Sequence, residues 1–80
     1  MQGDILLKSK ELKKKLEQMG IPTYLYNLDG LGRTDERLCL EFVNKEWHVY
    51  YSERGIKTTD LKFASEESAC EYIYQNFTLD

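Results

Sequence analysis

Apolar residues recur with a helical period near the start of the chain. Leu12, Leu16 and Met19 fall at i, i+4 and i+7, with Ile5 as an earlier member, and predict a helix over residues 4–19. Lys13, Lys14, Lys15 and Glu17 fall largely off that face, and the lysines complement the negative end of the helix dipole. Gly20 suits the left-handed position just past a helix end, and Pro22 prevents continuation.

The period then shortens to two. Residues 23–28 are rich in β-forming side chains, and Asp29-Gly30 with Gly32 mark a turn or loop reaching about Glu36. Residues 37–43 predict a strand with Leu38, Leu40 and Phe42 on one face and Cys39, Glu41 and Val43 on the other. Asn44-Lys45-Glu46 is a hairpin-length connection to a strand over residues 47–52. In that strand Trp47, Val49 and Tyr51 point one way, His48, Tyr50 and Ser52 the other. After a turn at Glu53-Arg54-Gly55, residues 56–63 are a candidate fourth strand at the sheet edge. Ser65 is an N-cap candidate for a last helix, with Glu66 and Glu67 at the positive end of its dipole and Ala69, Cys70, Ile73 and Phe77 on its apolar face.

This order predicts a single α+β domain over residues 1–80, of layout α-β-β-β-(β)-α. Short connections imply an antiparallel sheet of three or four strands, with both helices packed on one face. Leu12, Leu16, Leu40, Phe42, Trp47, Ile73 and Phe77 are then core residues, and the opposite sheet face is left open.

An 80-residue chain buries only about two thirds of its unfolded surface, enough for one thin core. With 41% hydrophobic and 31% charged residues it falls outside the disordered class. The net charge of −3 divides unevenly: residues 1–20 carry five Lys against three acids, and residues 21–80 carry six Lys or Arg against eleven acids, a balance of −5. Such a body repels nucleic acid phosphates and suits a basic partner, although a modest acidic excess also serves plain solubility. Cys39 and Cys70 stand in apolar patterns without a CxxC or a paired His, so no zinc site, metal or cofactor is expected. No signal peptide or membrane-length apolar run is read, which points to a reduced cytoplasmic setting.

Candidate chemistry is sparse. His48 is the one histidine, and a nucleophilic pair with Cys39 across a hairpin would lack an orienting carboxylate and an oxyanion loop. Asp29-Gly30-Leu31-Gly32-Arg33 lacks the spacing of a phosphate loop and has no helix following it. Asp35-Glu36 and Glu66-Glu67 read as solvated carboxylates rather than acid–base pairs, and no enzymatic activity is expected. The helix–strands–helix order also matches double-stranded RNA-binding domains. Their last helix begins with basic residues, where this chain has Ser65-Glu66-Glu67-Ser68.

Residues 47–55 concentrate Trp, Tyr and Arg, the types that dominate interface hot spots. The run Trp47-His48-Val49-Tyr50-Tyr51-Ser52-Glu53-Arg54-Gly55-Ile56-Lys57, followed by Phe63-Ala64-Ser65-Glu66-Glu67-Ser68-Ala69-Cys70-Glu71-Tyr72, resembles small bacterial immunity proteins of polymorphic or contact-dependent toxin systems. Gly20-Ile21-Pro22, Tyr24 and Tyr26 fit the same style. The resemblance implies a cytosolic, non-catalytic protein that binds and occludes the C-terminal effector domain of a cognate toxin, often a nuclease. The contact set expected for such a role is Tyr50 and Arg54 as anchors, with Glu53, Glu66, Glu67 and Asp29 facing basic residues of the toxin. A monomer is expected, with Lys57, Thr58, Thr59 and Lys62 protecting the edge strand. The alternative is a nucleic-acid-binding or other protein-interaction module, in the former case stacking bases on Tyr24, Tyr26 or Tyr50 of an open sheet face.

Overall fold

A computed structural model describes residues 7–30 and 32–78. Helix α1 spans Ser9–Gln18, a single 3-10 turn spans Thr23–Leu25, and helix α2 spans Glu66–Thr78. Between them lie strands β1 (Tyr26–Asn27), β2 (Leu38–Val43), β3 (Glu46–Glu53) and β4 (Ile56–Phe63). The fold is α+β, and the fourth strand is present at full length.

Leu12 and Leu16 are fully buried and set the inward face of α1. The expected earlier member, Ile5, lies outside the described residues, but Leu7 ahead of the helix joins the core. Met19 does not: it is the C-cap residue and is exposed. The chain leaves α1 through Gly20 at φ 78°, where Gly20 N–H donates to the Glu17 carbonyl at 3.1 Å and Ile21 N–H donates to the Leu16 carbonyl at 3.0 Å. These two bonds satisfy helix-end carbonyls, and Ile21 folds back onto the core. At the start of α2, Ser65 Oγ accepts the Ser68 N–H at 3.1 Å, the N-cap bond expected from the sequence.

The sheet order is β1-β2-β3-β4. Two tight hairpins join β2, β3 and β4, with the connecting pairs Asn44-Lys45 and Arg54-Gly55 all at positive φ, as mirror-image turns require. The sheet is mixed rather than wholly antiparallel, because β1 pairs parallel with β2, Tyr26 beside Leu38 and Asn27 beside Cys39. The expectation failed because residues 28–37 are a crossing connection and not a hairpin. Half of the region expected as a first strand, Thr23–Leu25, is a 3-10 turn. Pro22, at φ −62°, starts it, and Leu25 N–H donates to the Pro22 carbonyl at 3.1 Å.

One sheet face carries Leu38, Leu40, Val49 and, less deeply, Trp47, Tyr51 and Phe63. Ala69, Cys70 and Ile73 of α2 pack onto it, and α1 packs beside α2. The two helices begin side by side: Ser9 N–H donates to Glu66 Oε2 at 2.9 Å, and further along Lys15 Nζ lies 5.8 Å from the centre of the Tyr74 ring. They therefore run broadly parallel. Phe42 stands two strands from Phe63, the member of its row against which Tyr72 of α2 packs. Phe42, expected in the core, is accordingly 56% exposed, its ring 4.7 Å from that of Trp47.

Candidate interaction surface

At the opposite end of the sheet, the 3-10 turn, β3 and the last turns of α2 enclose an open groove of about 320 Å³. Leu25, Leu38, Tyr51, Tyr72 and Phe77 line it, with Glu36, Thr59 and Asn76 among them. It continues past Tyr24, which is 65% exposed, toward Arg33 and Arg37. Its lining is aromatic and aliphatic, with two guanidinium groups and two carboxylates near the mouth. That composition matches the central part of protein interfaces.

The mouth is held by Asp35. Its Oδ1 accepts the Gly55 N–H at 2.9 Å and the Ser52 hydroxyl at 3.3 Å, while Glu36 N–H donates to the Ser52 carbonyl. These bonds tie the β1–β2 connection to the β3–β4 turn and hold Glu36 at φ 57°, a left-handed conformation uncommon for a residue with a Cβ. Asp35 is therefore an anchored carboxylate, though still exposed to solvent as expected. Glu36, fixed by its neighbour, presents its side chain at the groove.

The sheet face away from the helices is closed over its centre, contrary to expectation. Asn27, Cys39, Tyr50 and Asp60 form one row across the four strands. Asn27 Nδ2 donates to the Arg33 carbonyl at 2.7 Å, and Cys39 Sγ lies 3.5 Å from the Thr34 carbonyl, so the β1–β2 connection lies against this row. Asn27 Oδ1 also accepts the Gly30 N–H at 2.8 Å. Lys57 Nζ sits 4.3 Å over the Tyr50 ring and 4.0 Å from Glu41. Burial pushes the Tyr50 phenol up to about 12, with the neighbouring Cys39 adding to the shift. Burial also raises the Cys39 thiol, which makes it a poor nucleophile at neutral pH. His48 turns away from Cys39: its Nδ1 is 3.2 Å from Asp60 and its Nε2 3.6 Å from Glu46. The Cys39–His48 pair is not formed.

The residues expected to contact a partner are dispersed. Tyr50 is only 8% exposed and is held by Cys39 and Lys57, so it offers little surface as an anchor. Glu53 and Arg54 are exposed at the β3–β4 turn. Glu66 caps the first turn of α1, and Glu67 lies 3.9 Å from Lys8. Asp29 is exposed beside the Phe42–Trp47 end. Only Glu53 and Arg54 are sequence neighbours of the groove's Asp35 anchor at Gly55. Tyr24, Leu25, Tyr72 and Phe77, which build the groove, were not singled out as one site. They come from three separate elements, and no local spacing unites them. Among the described residues no group of three or more His, Cys, Asp or Glu is placed to hold a metal ion, and no helix is long and apolar enough to cross a membrane.

No family model, curated protein or solved structure matches this chain.

Proposed function

We propose that this protein is an immunity-type inhibitor that binds the C-terminal effector domain of a cognate bacterial toxin, of the nuclease kind, in the cytoplasm and occludes it without catalysis. The observation that carries this is the groove between the 3-10 turn, β3 and α2. The exposed Tyr24 and the half-buried Tyr51, Tyr72 and Phe77 border an apolar depression large enough for one or two partner side chains. Glu36, Asp35, Arg33 and Arg37 at the mouth offer charges of both signs to orient a docked chain. The −5 balance of residues 21–80 supports a cationic partner, because complementary charge raises the association rate. The expected anchors are thus Tyr24, Tyr72 and Arg37, with Glu53 and Arg54 at the rim.

The nucleic-acid reading has less support. Of its three stacking candidates Tyr26 and Tyr50 are buried, which leaves Tyr24 alone. The test is growth: the effector domain encoded immediately upstream is expressed with and without this chain. Rescue together with co-purification at a fixed ratio is the expected result. Tyr72→Ala should weaken the complex by about 2 kcal/mol or more, and Glu53→Ala by less than about 1. A harmless neighbour, or rescue with no physical complex, overturns the proposal.

A further inference from the structure

Strand β4 is paired with β3 on one side, and its other edge is bare among the described residues. Its residues are exposed from Ile56 through Lys62. We infer that this edge pairs with the same edge of a second copy of the chain, antiparallel, about a two-fold axis at Leu61.

The inference rests on register. In the regular part of β4, Thr59, Leu61 and Phe63 stand opposite Tyr51, Val49 and Trp47 on the helix side. Asp60 and Lys62 stand opposite Tyr50 and His48 on the other side. A two-fold axis through an antiparallel edge pair keeps each sheet face continuous, so a residue can only oppose one from its own face. The centre must then fall on a residue. A centre at Asp60 sets carboxylate against carboxylate, and a centre at Lys62 sets ammonium against ammonium, both unfavourable directly across a ladder. A centre at Thr59 runs into the bulge between Tyr51 and Ser52, where the strand's alternation breaks. A centre at Leu61 places Leu61 against its mate, Asp60 against Lys62 twice, and Thr59 against Phe63 twice. Opposite charges face each other on the far side, and a β-branched residue meets an aromatic one on either side of the Leu61 pair.

Edge lysines ordinarily discourage pairing. Here Lys62 has no ion-pair partner in its own chain among the described residues, and the pairing supplies one. Asp60, though 3.2 Å from His48, remains 41% exposed and open to it. Leu61, 36% exposed in the single chain, becomes covered. The helices do not obstruct the assembly. They lie on the same side of the joined sheet, but β3 and its mate are three strand spacings apart, about 14 Å. Helices pack at about 8–10 Å, so α2 and its mate have room. This inference is independent of what occupies the groove.

The test uses charge reversal in the full chain, read by sedimentation equilibrium from about 10 μM to about 1 mM. The wild type should show a concentration-dependent dimer. Asp60→Lys alone and Lys62→Asp alone each place like charges at both cross-strand positions, and each should dimerise at least about tenfold more weakly. Mixed in equal amounts they restore both opposite-charge pairs, and the mixture should recover a dimer that neither forms alone. Circular dichroism checks that each variant is folded. Should Asp60→Lys unfold through loss of its contact with His48, Leu61→Cys decides the matter. Its two copies would meet at a Cα separation of about 4.5–5.5 Å, within disulfide reach, while both native cysteines are buried. Mild oxidation should then cross-link Leu61→Cys and leave Lys62→Cys monomeric. A wild type that stays monomeric throughout, a mixture that does not recover, or equal cross-linking at both positions overturns the inference.

Discussion

Replacing Asp35 by Ala tests whether the groove end of the molecule is built as described. The substitution removes two bonds to one carboxylate oxygen, from Gly55 N–H at 2.9 Å and from Ser52 Oγ at 3.3 Å. The first is charge-assisted, a class worth about 1.5–3 kcal/mol, but Gly55 is exposed and water can replace part of it, so roughly 1 kcal/mol is lost. Ser52 is buried, and leaving its hydroxyl without this acceptor adds roughly another 1 kcal/mol. The total, about 2 kcal/mol, corresponds to a fall in Tm of roughly 8–16 °C for a domain of this size. Urea unfolding at pH 7 measures it directly. In a double-mutant cycle with Ser52→Ala, the hydroxyl's share should appear as a coupling of about 0.5–1 kcal/mol. Asp35→Asn retains an acceptor oxygen and should lose about half as much as Ala. A loss below about 0.5 kcal/mol for Asp35→Ala, or an equal loss in the Ser52→Ala background, would refute the assignment of Asp35 as the clasp between the β1–β2 connection and the β3–β4 turn.

Ile73→Ala opens a cavity at a fully buried position and should cost about 3–4 kcal/mol, whereas Phe42→Ala, at the exposed end of β2, should cost under about 1.5; urea melts of the pair separate the two ends of the sheet. Gly20→Ala forces a Cβ into φ 78° and should lose about 1–2 kcal/mol, with protection of the last α1 amides falling first in hydrogen exchange. Alkaline pH should destabilise the fold. The folded Tyr50 phenol is raised from 10.0 to about 12 and the Cys70 thiol from 9.0 to about 12, so both protons stay bound in the native state after an unfolded chain has released them. Their stabilisation is complete below about pH 9 and is lost as pH rises from there through 12; a Tm that stays flat over that range removes the argument for burial of these groups.

What was legible in the sequence was local. The Leu12–Leu16 spacing, the Gly20 stop, the Ser65 cap and the two hairpin turns each depend on a few adjacent residues, and each is found where expected. The parallel pairing of β1 was not legible. It depends on Asn27 and Asp35 reaching groups 6 and 20 residues away, and nothing in the composition of residues 28–37 announces those partners. The misplacement of Tyr50 follows from the same loop. Alternation correctly put Tyr50 and Tyr51 on opposite faces, but which face stays open depends on where the connection lies. Because Arg33 and Thr34 offer their carbonyls to Asn27 and Cys39, the supposedly open face closes around Tyr50. Tyr51, on the helix side, packs against the core and also lines the groove.

The bulge between Tyr51 and Ser52 links these features. It inserts Thr58 into β4 without a partner in the ladder, so that Ser52 faces Lys57 and Tyr51 faces Thr59. The Thr58 hydroxyl donates to the Tyr51 carbonyl at 3.3 Å and holds the distortion in place. Without the bulge, strict alternation through Thr58 would turn Lys57 to the helix side. With it, Lys57 lies on the face of Tyr50, near enough to cover the ring and reach Glu41. The same insertion leaves the regular edge of β4 only five residues long, residues 59–63, which confines edge pairing to the stretch where Asp60 and Lys62 flank Leu61. The bulge thus keeps Lys57 on the far face despite the added residue, and it restricts the register of the exposed edge. Deleting Thr58 should therefore restore a regular ladder with Lys57 still opposite Ser52 and over the Tyr50 ring, so ultraviolet titration of the tyrosines should find that phenol still raised.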